Sequence, residues 1–509
     1  MLSLKADHPN VDHAHADDRL AVIDVGSNSM RCVVYEKLTR SPVALFNEKV
    51  LPSLGKTVER TGRLNPDGVM VALDNLVRFR RLLEGMQVRR IDVLATAAVR
   101  DAADGADFVA EITRRTGFHV DVLSGEEEAR LAALGVLSGS PNAEGLAGDL
   151  GGGSLELVLL EKGEIGAQVT TPLGPLRLLE ATEGKPGPAA KLIDQHLAKL
   201  DWLSRGRGRT YYPVGGAWRA LAKMHLEQVN HPLHIIHQYS VDGAAMTEFA
   251  GAVARAGRSN LEKMQGVSKR RLDTLPLAAL VMERVLKAVQ PARVTFSAYG
   301  LREGHLYDLL DATEKRQDPL ITACEDVAER IGRFGHAEIL TGWTAPLFVG
   351  EDPTARRLRQ AACLLSDLGW AEHPDYRAEH AFLRILRMPF AGVDHAERAF
   401  LATSVHVRYA GTMDSPILAP ARGLLKEGAL ARAYIVGLAL RLAHTLTGGA
   451  ATLLQRTLLR LGDQKLTLVL PEDAAMLTGD SVQRRLDALA KALNRTGEIS
   501  VQAGPRLAR

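Results

Sequence analysis

The stretch Gly148-Asp149-Leu150-Gly151-Gly152-Gly153-Ser154 puts one carboxylate, three consecutive glycines and one hydroxyl into seven residues. A turn without Cβ atoms can adopt positive φ and let an anion reach its N–H groups. Ser154 adds a hydroxyl donor. Asp149, just ahead of the glycines, suits a hard cation or an ordered water. These are the parts of a metal-bridged phosphate site. The same residues would also make a glycine-rich hairpin that binds nothing.

A second copy favours the phosphate reading. Asp24-Val25-Gly26-Ser27-Asn28-Ser29 repeats the pattern Asp-x-Gly-x-x-Ser, again between apolar runs, Leu20 to Ile23 before it and Met30 to Tyr35 after it. Internal repetition constrains a fold strongly. Two such turns suit a cleft between related lobes, with a polyanion and its metal between them.

Two further groups carry chemistry. In Ser124-Gly125-Glu126-Glu127-Glu128, Ser124 and Glu127 fit a helix capping box, and the acidic first turn complements the helix dipole. That leaves Glu128 over. One residue on, it points away from the cap and is expected to face the cleft, where a carboxylate can take a proton from an attacking water. Arg100 follows the apolar strand Ile91 to Ala95, where its planar fork suits a phosphate; a surface ion pair with Asp101 or Asp104 is the alternative. The glycine pair in Val214-Gly215-Gly216-Ala217-Trp218-Arg219 opens a helix and suits a ligand at its N-terminus, though such a pair alone is a weak signal.

The elements that must position these groups alternate between strand and helix up to about residue 312. Strands are expected at 20–35 (two, around the first turn), 43–50, 91–95, 119–123, on both sides of the second turn, and at 165–172, 210–214 and 294–297. Helices are expected after Asn65-Pro66-Asp67, at 108–116, near 189–204 and at 275–289. Residues 54–64, with Lys56, Arg60 and Arg63, read as a solvated loop. From about 313 strand signals nearly vanish until 465, and Ala, Leu and Arg recur at helical spacing. Residues 465–503 return to strand, helix and strand.

The chain has 509 residues, room for about three or four domains. Its 46% apolar content permits large cores, and a net charge of +3 gives no global nucleic-acid signature. Cys32, Cys324 and Cys363 are far apart and read as buried thiols in a reducing compartment. The N-terminus lacks a signal peptide's apolar core, and no uninterrupted apolar run reaches about 18 residues. The expectation is a cytoplasmic protein with no membrane or nucleic-acid partner. Residues 1–19, with His8, His13 and His15, are expected to form a disordered tail.

The motifs together resemble the exopolyphosphatase and guanosine pentaphosphate phosphohydrolase family, a branch of the actin, Hsp70 and sugar-kinase superfamily. The matching stretches are the two turns, Ala95-Thr96-Ala97-Ala98-Val99-Arg100-Asp101, Ser124 to Arg130, and Gly300-Leu301-Arg302-Glu303-Gly304, in family order. The resemblance implies an α/β fold of two ribonuclease-H-like (actin-like ATPase) lobes around a cleft, at 20–135 and 136–312. A mostly α-helical HD-like domain at 313–464 and a small α/β segment at 465–509 would follow. It implies Glu128 as catalytic base and Asp149 in catalysis. Ser27, Asn28, Ser29, Arg100, Gly151, Gly152, Gly153 and Ser154 would hold the phosphate chain. Asp149, Glu156 and Asp24 would stand at the metal, Mg²⁺ with Mn²⁺ as the alternative, and a monovalent cation is a further implied ligand. The implied partners are inorganic polyphosphate, guanosine penta- or tetraphosphate, and a second copy in a homodimer.

Two departures stand out. Ala217 occupies a position where the family often has Thr. In the helical domain Ser366 precedes Asp367 where a metal-binding HD site needs His, so no second metal centre is expected, and His380 and His406 are expected to be ordinary helical residues. The activity implied is release of the terminal phosphate of polyphosphate. Hydrolysis of the 5′ γ-phosphate of guanosine pentaphosphate (pppGpp), a polyphosphate-dependent phosphotransferase and a non-catalytic sensor are the rivals.

Overall fold

The computed structural model describes residues 18–263, 272–333 and 337–502; the histidines of the N-terminal tail lie outside them. The chain forms two compact units, Met1–Arg316 and Gln317–Arg509.

The first unit contains two sheets. Strands β1 (Leu20–Val25), β2 (Met30–Tyr35), β3 (Ala44–Val50), β4 (Arg90–Ala95) and β5 (Val120–Val122) lie in the order β3-β2-β1-β4-β5. Strands β6 (Gly145–Leu150), β7 (Leu155–Glu161), β8 (Glu164–Thr171), β9 (Thr210–Val214), β10 (Tyr239–Asp242) and β11 (Arg293–Phe296) lie in the order β10-β11-β9-β6-β7-β8. Both sheets start from an antiparallel meander of three strands whose first member pairs in parallel with the next strand, β4 or β9. The sequence repeat is therefore a repeat of topology. Even the register recurs. Asp24 lies opposite Arg31 in the first hairpin, and Asp149 lies opposite Glu156 in the second. Each turn is closed by the same bond, Gly26 N–H to the Ser29 carbonyl and Gly151 N–H to the Ser154 carbonyl, both 3.1 Å.

Helix Gly125–Gly139 serves both sheets. Ala129, Ala133 and Val136 pack with Ala147, Val158 and Tyr212 of the second sheet, and Leu131 packs with Leu20, Val22 and Leu94 of the first. Helix Leu301–Leu309 crosses it at close range. A methyl group on Gly304 would fall 1.8 Å from the Leu131 carbonyl oxygen, and one on Gly135 would fall 2.1 Å from that of Gly300. Only glycine permits this approach, which carries Arg302 and Glu303 to the region between the lobes.

Residues 54–64 do not form a free loop. A 3₁₀ turn (Leu54–Thr57) and one helical turn (Val58–Thr61) bury Leu54, Val58 and Leu64, while Lys56, Arg60 and Arg63 are exposed. Gly55 N–H donates to the Ser27 carbonyl (2.8 Å) and Ser53 N–H to that of Asn28 (3.2 Å), so this segment braces the first turn. A periodicity too short to register as a helix made it look like a loop.

The second unit is mostly helical, with a three-stranded sheet, β12 (Leu458–Leu461), β13 (Lys465–Pro471) and β14 (Thr496–Gln502), backed by helix Asp480–Ala492. Strand structure thus resumes at 458, ahead of the expected 465. Asp367 is buried and accepts from Arg333 (2.9 Å) and Arg408 (3.2 Å), while His444 bonds to Ser366 (3.1 Å). His380 and His406 both lie within helices, bonded to Glu372 (3.1 Å) and to the Ala378 carbonyl (3.2 Å). Helix Glu427–Thr447 is long and apolar enough to cross a membrane by composition. Val436, Leu440 and Ala443 on it are buried within the unit, and its Arg432 pairs with Glu351.

Candidate active site

The two turns face each other. A methyl group on Gly152 would lie 3.2 Å from the Ser27 Cβ, 3.3 Å from the Asn28 Cβ and 3.1 Å from Leu176. One on Gly153 would lie 3.2 Å from the Ser27 hydroxyl. Gly26, Gly151, Gly152 and Gly153 all have negative φ. These turns do not use the positive φ that glycine allows: at Gly152 and Gly153, glycine is needed for clearance between the lobes. Helix Pro175–Thr182 locks the second turn in place, because Leu176 N–H donates to the Gly152 carbonyl (2.9 Å).

The cleft between the turns is lined by Asp24, Ser27, Asn28, Ser29, Glu128, Asp149, Gly151, Gly152, Ser154 and Glu156, ten of the twelve residues expected at the site. Gly153 lines a small cavity behind the turns. Arg100 does not line the cleft. It sits on the helical turn Ala97–Asp101 and donates to the Glu128 carboxylate (2.9 Å), the Leu123 carbonyl (3.0 Å) and Asp101 (3.2 Å). Arg100 is thus paired with Glu128 and with Asp101, the second being the ion pair that stood as the alternative to phosphate contact. Asp104 pairs with Arg63.

Glu128 lies in the first turn of helix Gly125–Gly139, whose cap is the Ser124 hydroxyl accepting from the Glu127 N–H (3.1 Å). The cap fixes the helix start, and the Glu128 side chain is 9% exposed. Burial pushes its pKa up to about 7, Asp149 and Asp24 add to that, and Arg100 opposes them. Burial also raises Asp149 to about 6, against Arg219 and Arg302. Glu156 is raised well above its ordinary value by burial and by Glu128 and Asp149. Asp24 is raised by burial, with Arg302 opposing. With Glu303, five carboxylates thus crowd into one poorly solvated cleft, an arrangement typical of functional sites.

Among the described residues no three His, Cys, Asp or Glu side chains form a ready-made metal cage. Mg²⁺ does not require one, since it keeps waters and takes one or two carboxylates beside phosphate oxygens. Asp149 and Glu156, opposite each other in the β6–β7 ladder, provide that pair. Glu156 Oε1 and the Ser154 hydroxyl are both buried, and a side-chain hydrogen bond from Ser154 works against the rise of the Glu156 pKa. Asp24 differs, because Arg302 already donates to it (3.1 Å).

The cleft also holds cations that were not among the expected site residues: Arg31, Lys49, Arg219 and Arg302. Arg302 belongs to the Gly300–Gly304 motif, and Arg31 lies at the hairpin position equivalent to Glu156. Those placements were the available signals. Arg219 is held by the carbonyls of Gly215 and Ala298, both at 3.3 Å.

A model of the Ppx/GppA phosphatase family matches residues 33–313, more than half of the chain. The chain belongs to the Ppx/GppA phosphatase family. A model of the exopolyphosphatase C-terminal region matches residues 320–499, within the second unit. Retrograde regulation protein 2 of Saccharomyces cerevisiae is 29% identical over 343 residues, covering 60% of this chain and 58% of that protein, so the chain spans under two thirds of that relative's length. A guanosine-5'-triphosphate,3'-diphosphate pyrophosphatase of Aeromonas salmonicida is 25% identical over 413 residues, covering 76% of this chain and 80% of that one. Among solved structures, an exopolyphosphatase from Cytophaga hutchinsonii superposes with a TM-score of 0.53 at 25% identity, covering 57% of this chain and 97% of that chain. That structure shares the two-sheet fold of the first unit.

Proposed function

We propose that the protein is an exopolyphosphatase that hydrolyses the terminal phosphoanhydride of inorganic polyphosphate and releases orthophosphate. The observation that carries this reading is Glu128, a buried carboxylate with a pKa of about 7, aimed into a cleft walled by two opposed Asp-x-Gly-x-x-Ser turns. A base is most effective when its pKa lies near the working pH. Glu128, oriented by Arg100, takes a proton from a water whose oxygen attacks the terminal phosphorus. The bridging P–O bond breaks, and its electron pair leaves with the shortened chain. Turn N–H groups, the Ser27 and Ser154 hydroxyls and the cleft arginines stabilise the charge on the transferred group.

Asp149 and Glu156, with Asp24 nearby, would hold Mg²⁺ or Mn²⁺. The bound ion would supply neutralising charge at the end of the phosphate chain. The buried Glu156 carboxylate, opposite Asp149 in the ladder, fits that role. Three buried free thiols suit a reducing compartment, and we take the protein to act in the cytoplasm as a homodimer.

Hydrolysis of pppGpp is the second reading, favoured by the Aeromonas relative, whose match covers 76% of this chain. Orthophosphate release from long-chain polyphosphate and from pppGpp, each with and without Mg²⁺, tests both. Faster Mg²⁺-dependent release from polyphosphate supports the proposal. Release from pppGpp alone replaces it with the second reading, and release from neither removes both.

A further inference from the structure

Behind the turns, away from the cleft, an unbroken chain of charged contacts crosses from one lobe to the other. Arg177, on helix Pro175–Thr182 of the second lobe, donates from Nη2 to Asp101 Oδ2 (2.8 Å) and forms an ion pair through Nε with Glu59 Oε2 (3.0 Å), both in the first lobe. The other Asp101 oxygen accepts from Arg100 Nε (3.2 Å), and Arg100 Nη1 donates to Glu128 (2.9 Å). The order is Glu59, Arg177, Asp101, Arg100, Glu128, alternating in sign at every step. The Arg177 and Arg100 side chains are about four-fifths buried, at 20% and 22% exposure, while the Asp101 and Glu59 carboxylates between and beyond them are 31% and 42% exposed, so only the Arg100–Glu128 end of the chain is well shielded from water.

We propose that Arg177 is an inter-lobe clasp and a positioning residue for the reaction. It acts through Asp101 and Arg100 on Glu128 and does not itself touch substrate. Three placements carry this. Arg177 lies one residue after Leu176, whose N–H is bonded to the Gly152 carbonyl of the second turn. It lines the small cavity directly behind the meeting point of the turns, with Ser27, Gly153, Ala97 and Glu59. And its bond to Asp101 divides that carboxylate between two guanidinium groups, one from each lobe, which fixes the plane of the Arg100 fork. Closing the lobes therefore does two things together: it sets the second turn against the first, and it completes the array that orients the base. With the lobes apart, Asp101 is released to swing with its own side chain, and Arg100 loses the constraint on its Nε edge.

The inference rests on the hydrolase reading, so its test pairs a rate with a measurement independent of chemistry. Arg177→Ala is expected to lower kcat for phosphate release by roughly tenfold to a hundredfold, the size of effect that misplacing a catalytic group produces, while KM changes by less than about threefold and the melting temperature stays close to wild type. Arg177→Lys, able to reach one carboxylate, is expected to recover part of kcat. Asp101→Asn combined with Arg177→Ala is expected to be no slower than the worse single variant, because both cut one link. Pulsed electron-spin distance measurement between labels at Asp74→Cys and Lys191→Cys is expected to show a broader inter-lobe distribution in Arg177→Ala. If the two substitutions multiply, or kcat is unchanged, Arg177 does not act through Asp101. If the distance distribution is unchanged, Arg177 is not a clasp. Absence of phosphate release from the wild type would instead remove the hydrolase reading and leave the clasp to the distance measurement.

Discussion

Replacing Glu128 with Gln should move activity and stability in opposite directions. The carboxyl is almost fully buried, and its pKa stands at about 7 against an ordinary 4.5. A tenfold change in an ionisation equilibrium is worth about 1.4 kcal/mol, so at pH 8 the fold bears about 3 kcal/mol for keeping Glu128 ionised. The sign follows from proton linkage. Between 4.5 and 7 the folded state binds more protons than the unfolded chain, so stability falls as pH rises through that window and levels off above it. Gln has the same shape and no charge, and still accepts from Arg100. In metal-free buffer at pH 8 the variant should therefore unfold at higher urea concentration, by up to about 3 kcal/mol, and the gain should shrink to under about 1 kcal/mol at pH 5. Phosphate release should meanwhile fall by about 10²–10⁴, the usual cost of losing a positioned base. Urea unfolding at the two pH values and a phosphate-release assay on the same preparations read both effects. A variant that is less stable than wild type at pH 8, or that turns over at the wild-type rate, refutes the assignment of Glu128 as a base kept in an unfavourable site.

Gly152→Val should wedge the turns apart, since even a methyl group there sits 3.1–3.3 Å from three neighbours; phosphate release should drop at least about a hundredfold while melting shows a loss of about 1–3 kcal/mol. Chelation with EDTA should abolish release, and added Mg²⁺ should restore it, as followed by a phosphate assay on dialysed enzyme. Asp367→Ala leaves Arg333 and Arg408 without their shared carboxylate and should cost about 3–5 kcal/mol in urea unfolding. In the wild type, burial works to raise Asp367, but Arg333, His444 and Arg408 outweigh it and hold the carboxyl below its ordinary 3.8. The stability it gives is present above that value and is lost as pH falls through the lower folded value, which acid titration of the wild type beside Asp367→Ala will show.

Much of the site was legible because its parts are local. The two turns, the cap at Ser124 and the leftover Glu128 each follow from a few adjacent residues, and the repeat pointed to lobes that face one another. What was not legible depends on tertiary register. Arg31 is two residues beyond the first motif, and only the pairing of β1 with β2 brings it opposite Asp24. The contact of Arg100 with Glu128 was not legible either, because helix Gly125–Gly139 brings together residues 28 apart in the chain. Residues 54–64 concealed a brace because two single turns carry too few buried positions to show a period. Strand β12 reads Leu-Leu-Arg-Leu inside a Leu- and Arg-rich helical region, and its pairing with β13 is what makes it a strand.

The Asp24–Arg31 and Asp149–Glu156 pairs have a wider consequence. A duplicated backbone would ordinarily produce a groove that looks alike from either end. Here one hairpin places a guanidinium across from its aspartate and the other places a second acid, so the two halves of the duplication oppose each other electrically. A linear anion laid along the groove feels pull at one side and, unless a cation intervenes, push at the other. The exchange of side-chain sign between the two hairpins, together with Arg219 and Arg302 beside Asp149, makes the two ends of the groove chemically distinct although their backbones repeat.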